Sequence, residues 1–374
     1  MRFLFACGGT GGHINPALAV ARLVKEKRPD SEILFIGAEG GMETRLVPSA
    51  GFEIKTIKVS SISRKLTLSA LLGNIDAIKK LMISKRAVSK IIKEFNPDVV
   101  LGTGGYVCYP TLRTAAKLKI PTVIHEANAF PGLATRALAT SVDRVLLNFE
   151  SGRNLLPEGV SCEVCGNPIR EDILMYNRED ARRELGIDKP LLVSFWGSLG
   201  AREMNVHTAE LMHLEMQDNC EFSHIHASGK FGYEWMPKLL AEKGVSANGE
   251  CGIWLREYID DMPRVLAAAD VVMCRGGAGT LSEICARGVP AIIIPSPNVT
   301  DNHQFKNAME LSNIGGARVI AEEDVTPERL LKEVRELLSD KDLRESMSKK
   351  LISSAVLDAS ERIYSEMIKI AKSR

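Results

Sequence analysis

The stretch Arg2–Ala21, RFLFACGGTGGHINPALAVA, reads as an apolar run, a glycine loop and the start of a helix. Phe3–Cys7 has the length of a buried strand, and the glycines at 8, 9, 11 and 12 let the backbone approach a partner with no side chain between. Free N–H groups and the helix dipole at such a turn suit an anion. The loop is not a P-loop, because Gly8-Gly9-Thr10-Gly11-Gly12-His13 lacks the Gly-Lys-Ser/Thr ending. A dinucleotide fingerprint counted from Gly9 would need glycine at Ile14. Taken alone, a tight strand–helix turn is the competing reading.

The same pattern recurs along the chain. Ile33–Ile36, Val99–Leu101, Thr122–His125 and Val142–Leu147 are short apolar runs, most of them separated by helical patterns. That alternation predicts βαβ units and parallel sheets. It restarts at PLLVSFWGSLGAREMN, from Pro190. DVVLGTGG (98–105) is echoed by DVVMCRGG (270–277), and each is followed by a helix and a Pro-led strand. The expected fold is α/β, with two Rossmann-like domains whose parallel sheets face each other across a cleft. Residues 1–166 form the first and 167–357 the second; the closing helix 358–374 returns to the first. Four glycine loops after strands weaken the bland reading of any single one, since ligands of open α/β sheets sit beyond the strands' carboxyl ends.

Composition sets bounds. The chain has 374 residues, 45% of them hydrophobic and 25% charged, enough for two domains with real cores. A net charge of +1 gives no reason to expect a nucleic-acid partner. No apolar run approaches the ~18 residues that span a bilayer, and the opening run is too short for a signal peptide, so a cytoplasmic location is expected. Of the eight cysteines only Cys162 and Cys165 form a C-x-x-C, without a second pair to complete a zinc site.

The segment GGTGGHINPALAVA resembles the opening motif of the MurG family of N-acetylglucosaminyltransferases. PDVVLGTGGYV, IPTVIHEANAFPGL, VCGNPIR, WGSLGAREMN, YIDDM, VVMCRGGAGTLSEI, DNHQFKNA and DASERI resemble that family's successive motifs, in order, over almost the whole chain. The resemblance implies a GT-B fold and transfer with inversion from UDP-N-acetylglucosamine to lipid I, the undecaprenyl-linked acceptor. Trp196, Leu199, Gly276, Cys108 and Tyr109 depart from the family pattern, and the loop from Pro295 to Asp301 is one residue longer.

Such a transfer needs a base, and it needs stabilisation of a departing diphosphate. His13 is the first candidate base, because imidazole titrates near neutrality; Glu126, beside His125, is its rival. The resemblance places Thr10, Gly11, Gly12 and Asn128 in the cleft. On the donor side, Ser198 and the neighbouring amides should face the diphosphate, with Arg170 adding a cation. Ala278, Gly279, Thr280, Leu281 and Ser282 offer amides at a helix start. By resemblance, Glu283 binds the ribose, Ile259 brackets uracil with its backbone, and Gln304 and Asn307 read sugar hydroxyls. Some transferases hold a metal through a D-x-D; Asp260-Asp261 lacks the spacer. No metal or cofactor is expected.

From Leu68 the apolar residues Leu71, Leu72, Ile75, Ile78 and Met82 recur at helical spacing, among Lys79, Lys80, Lys85 and Arg86. This stretch is either a buried helix with a basic face or a surface for anionic lipid. A polyprenyl acceptor favours the membrane, at its cytoplasmic face, where other cell-wall synthesis proteins are implied partners. A UDP-sugar 2-epimerase, a diacylglycerol glycosyltransferase and a non-catalytic nucleotide-sugar-binding subunit are the competing readings.

Overall fold

The computed structural model describes residues 1–59, 83–197 and 199–373. The chain divides into two compact units, Met1–Ile169 with Val356–Arg374, and Arg170–Ala355. In the first, β1 (Arg2–Ala6), β2 (Glu32–Ala38), β3 (Glu53–Ile57), β4 (Val99–Gly102), β5 (Thr122–Glu126), β6 (Arg144–Leu147) and β7 (Cys162–Val164) form one sheet. Its helices are α1 (Gly11–Lys27), α2 (Glu43–Ser49), α3 (83–95), α4 (Cys108–Lys117) and α5 (Leu133–Leu138), with the last helix of the chain, Ala359–Lys372. In the second, α6 (Arg178–Leu185) leads into β8 (Leu191–Phe195), α7 (Arg202–Gln217), β9 (Ser223–Ala227), α8 (Lys230–Tyr233) and α9 (Met236–Glu242). Then come β10 (Ile253–Arg256), α10 (Met262–Ala268), β11 (Val271–Cys274), α11 (Ala278–Arg287), β12 (Ala291–Ile293), α12 (His303–Asn313) and β13 (Ala317–Val319). The helices α13 (Pro327–Ser339) and α14 (Lys341–Ser354) complete that unit, and the last helix is α15.

Every ladder is parallel, in the order β3-β2-β1-β4-β5-β6-β7 and β10-β9-β8-β11-β12-β13. Strand order reverses between β1 and β4, and again between β8 and β11. These are the switch points at which doubly wound sheets open a crevice for ligand. The four glycine loops of the sequence follow these four strands.

The period of two explains the core. Phe3 and Phe5 of β1 face α1 and α15, meeting Ile14, Ala17, Ile363 and Met367. Leu4 and Ala6 point the other way, toward Val88 and Ile92 of α3 and Leu112 of α4. Parallel strands covered on both faces therefore read as continuous apolar runs.

The DVV echo has a physical cause. Asp98 Oδ2 accepts the Arg2 amide at 2.8 Å, and Asp270 Oδ2 accepts the Leu191 amide at 2.8 Å. Each aspartate precedes the switch-point strand and ties down the start of the strand beside it. Asp143 does the same for the Thr122 amide at 2.8 Å. Asp270 also pairs with Arg178 at 2.7 Å and Arg182 at 3.1 Å. Asp270→Ala should therefore lower stability by about 3 kcal/mol, since a strand amide and two guanidiniums lose a partner together. Asp98→Ala, at an exposed carboxylate, should cost less, and urea midpoints of the two variants check that order.

Candidate active site

In the first unit the loop after β1 is shaped by what its glycines permit. Gly9 has φ +92°, and a Cβ there would meet nothing within 4 Å. A Cβ on Gly105 would lie 2.2 Å from the Gly8 carbonyl oxygen, so the loops after β1 and β4 touch backbone to backbone. Thr10 is the extended N-cap of α1, whose first turn has no side-chain cap and no acidic residue. Among the described residues, no side chain caps the N-terminal amides of α1. Thr10 and Gly12 are exposed and Gly11 is partly so.

His13 lies in that first turn. Its Nδ1 is 3.1 Å from the Gly8 carbonyl oxygen, which can only accept, so Nδ1 carries the proton. In the neutral ring Nε2 is left bare. Gly104, at φ +117°, provides the floor; a Cβ there would be 2.4 Å from the imidazole. The Thr103 hydroxyl donates to the His13 carbonyl at 2.7 Å.

Glu126 is differently placed. Its Oε1 accepts from the amide and the side chain of Asn128, at 3.1 and 3.0 Å. Its Oε2 accepts from the Gly132 amide at 2.8 Å and the Thr135 hydroxyl at 2.6 Å. Four donors engage this buried carboxylate, which braces the loop from Asn128 to Thr135. Sequence reading passed over Glu43. Wholly buried, it accepts from the Ala38 amide at 2.7 Å and the Gly9 amide at 3.2 Å. A Cβ on Gly8, Gly37 or Gly41 would lie 2.5 Å from its side chain, so the glycine-rich run before it is the signal that was available.

In the second unit the corresponding helix is α11. Gly277 is its extended N-cap, again with no side-chain cap and no acidic residue in the first turn. A Cβ on Gly279 would meet open space, while Ala278 and Leu281 are buried and Thr280 and Ser282 are partly exposed. By contrast, α13 and α14 close their own ends: Thr326 caps the Arg329 amide at 3.2 Å and Asp340 caps the Leu343 amide at 2.8 Å. Asp340 opens the triplet Asp340-Lys341-Asp342, a D-x-D that the attention to Asp260-Asp261 missed. Its first carboxylate serves as a helix cap.

Arg170 forks onto Asp172 at 3.0 and 2.9 Å, so its charge is already partnered. That ion pair raises the guanidinium pKa further and lowers that of Asp172. Glu283, partly buried on α11, is pushed up to about 7, first by burial, with Arg170 pulling down and Asp172 pushing up. Ile259 is buried. Gln304 Oε1 accepts the Ser296 amide at 2.9 Å, which directs its NH2 group elsewhere.

Asn307 is placed on the inner face of α12. It is fully buried and donates to the Gly276 carbonyl at 3.0 Å, so it fastens the loop after β11 to α12. Gly276 is required there, because a Cβ would lie 2.2 Å from the Gln304 carbonyl oxygen. The longer loop before α12 ends in two left-handed residues, Asp301 and Asn302. Trp196 packs inward and donates to the Thr208 hydroxyl at 3.1 Å. Ser198, Leu71, Leu72, Ile75, Lys79, Lys80 and Met82 lie outside the described residues. Arg86 is exposed on α3, and the Lys85 ammonium lies 5.8 Å from the Tyr109 ring centroid.

The chain matches the glycosyltransferase family 28 N-terminal domain over residues 3–147 and the C-terminal domain over 191–363. It belongs to glycosyltransferase family 28. It is 45% identical to the UDP-N-acetylglucosamine--N-acetylmuramyl-(pentapeptide) pyrophosphoryl-undecaprenol N-acetylglucosamine transferase of Acetivibrio thermocellus, over 99% of this chain and 98% of that one. The Acinetobacter baumannii MurG crystal structure superposes with a TM-score of 0.77 at 27% identity, covering 98% of this chain and 99% of that one. A UDP-GlcNAc 2-epimerase from Neisseria meningitidis reaches 0.64 at 15% identity, over 99% of this chain and all of its own, a likeness of fold alone. Family 28 membership accounts for the paired Rossmann-like sheets. Among the described residues, no helix is long and apolar enough to cross a membrane.

Glu283 yields a pH-dependent prediction. Burial pushes the Glu283 carboxyl up to about 7, so in the ribose-binding role that the resemblance implies it would have to lose its proton to accept from two hydroxyls. UDP affinity should rise with pH through that range, with proton release on binding. In the free protein the sign is opposite: a folded pKa above the unfolded one makes Glu283's contribution to stability fall between about pH 4.5 and 7. Calorimetry in buffers of different ionisation heat checks the release, which Glu283→Gln should abolish while weakening UDP by roughly 1–3 kcal/mol.

Proposed function

We propose that this chain transfers N-acetylglucosamine from UDP-N-acetylglucosamine to the 4-hydroxyl of the N-acetylmuramyl unit of undecaprenyl-pyrophosphoryl-N-acetylmuramyl-pentapeptide. The products are lipid II and UDP. The observation that carries this reading is the fixed tautomer of His13, a bare Nε2 in the first turn of an uncapped helix. Family membership and the full-length likeness to the named transferases support the substrates.

The chemistry follows from the parts. His13 Nε2 takes the proton of the acceptor hydroxyl, whose oxygen attacks the anomeric carbon from the face opposite the diphosphate. The new C–O bond forms as the bond to the phosphate oxygen breaks, and its electron pair leaves with UDP. The amides at the start of α11 meet that charge, and Glu283 holds the ribose. Arg170 contributes less than a free guanidinium would, because Asp172 already shares its charge. The acceptor's diphosphate takes the amides at the start of α1, with Thr10, Gly11 and Gly12 beside it. We place the chain at the cytoplasmic face of the membrane, held by the basic stretch from Leu71 to Arg86.

Labelled donor and a short-chain lipid I analogue should give UDP and a lipid-linked disaccharide. Epimerisation of UDP-N-acetylglucosamine without acceptor would sink the transferase reading in favour of the epimerase. His13→Ala should lower kcat by about 10²–10⁴-fold and leave UDP affinity nearly constant. Glu126→Gln should act through stability, so a normal rate in His13→Ala with a collapsed rate in folded Glu126→Gln reverses the assignment. Reversing Lys79, Lys80, Lys85 and Arg86 to Glu should abolish binding to anionic vesicles, at about 1 kcal/mol per charge near the surface, and spare activity on a water-soluble acceptor.

A further inference from the structure

The second unit buries a chain of polar side chains that the proposed chemistry leaves unused. Glu215 of α7 faces His224 Nδ1 at 2.9 and 3.1 Å. His224 Nε2 lies 2.7 Å from the Ser194 hydroxyl, which lies 2.7 Å from His226 Nδ1. His226 Nε2 is 3.2 Å from Asn205 Oδ1, and Asn205 Nδ2 donates to the Ser228 carbonyl at 2.8 Å. All of these residues are buried, Glu215 the least so at 2% exposure.

The direction of each hydrogen bond follows from the last one. A carbonyl only accepts, so Asn205 turns its NH2 to Ser228 and its oxygen to His226. His226 Nε2 must then carry a proton. A second proton on Nδ1 would place a charge in a fully buried ring; burial, with His224 beside it, holds that pKa well below the usual histidine range. Nδ1 is therefore bare and takes the Ser194 hydroxyl proton. The Ser194 carbonyl, also 3.1 Å from Nδ1, is a partner only for the opposite tautomer. The Ser194 oxygen accepts from His224 Nε2, and one further proton is shared between His224 Nδ1 and Glu215.

The chain ends under the glycine turn that follows β8. Gly200 has φ +79°, and a Cβ there would lie 2.1 Å from the Ser228 carbonyl oxygen. Gly229 has φ +75°, and a Cβ there would lie 2.2 Å from the Gly200 nitrogen. The turn thus rests directly on the 228–229 backbone, and the buried chain holds that backbone from below.

We propose that Glu215, His224, Ser194, His226 and Asn205 form a positioning relay that sets the glycine turn at Gly200 for the donor's diphosphate. The inference rests on the donor reading above. These side chains touch neither sugar nor nucleotide; they act through Ser228.

Ser194→Ala tests the relay. Without the hydroxyl, Nδ1 of His226 loses its donor and faces only the Ser194 carbonyl, an acceptor against an acceptor, and the hold on Asn205 and Ser228 is weakened. Imidazole ¹⁵N shifts should report an Nε2–H tautomer for His226 in the wild type. UDP affinity by calorimetry should fall on the order of tenfold, with the acceptor KM unchanged. Asn205→Asp, which keeps an acceptor for His226 and loses the donor to Ser228, should show the same loss, and it decides the matter if Ser194→Ala does not fold. An Nδ1–H tautomer in the wild type, or unchanged UDP affinity in the folded variants, overturns the relay alone. A wild-type chain that binds no UDP overturns the donor reading along with it.

Discussion

Two of the helices that begin without a side-chain cap, α1 and α11, start directly after strands at the switch points of their sheets, and the proposed chemistry depends on that placement. At α1 and α11 the first-turn amides find no acceptor in a capping side chain and no acidic neighbour to offset the dipole. Side chains close the starts of α6, α13 and α14, at Asn177, Thr326 and Asp340, so it is position at the switch point, and not the open end alone, that sets α1 and α11 apart. An uncapped helix start costs of order 1 kcal/mol of stability, and a bound anion recovers it. Both openings follow strands at the switch points of their sheets, the place where doubly wound folds take ligand.

Holding those turns open is the task of buried polar groups. Glu43 accepts from the amides on either side of it, within a cradle of glycines that fits its carboxylate. Asn307 ties the loop before α11 to α12. Glu126 braces the segment from Asn128 to Thr135. Each is a charged or amide side chain whose hydrogen bonds go to backbone or to close neighbours, the condition under which burial is tolerated.

The parallel sheets were legible in the sequence because strands covered on both faces leave unbroken apolar runs, and the DVV echo marked the switch-point strands of both units. The helix starts at Gly11 and Ala278 were legible because glycine turns precede them. The partners of individual side chains were not. Asn307 donates to the Gly276 carbonyl, a partner 31 positions away that no local pattern announces. Glu126 was read as a possible base because nothing local shows that Gly132 and Thr135 turn back onto it. Arg170 is expected to add a cation to the donor side, and Asp172, two residues on, shares its charge. Tertiary hydrogen bonding decides these roles, and spacing along the chain does not encode it.

The central claim is that main-chain amides, and no bound cation, receive the donor's diphosphate. Amide NMR shifts during a UDP titration in excess chelator test it directly. The account predicts downfield movement of the Ala278, Gly279 and Thr280 amides, with those of Gly9 to Gly12 unmoved. Donor-side amides that stay in place until magnesium or manganese is added would contradict it.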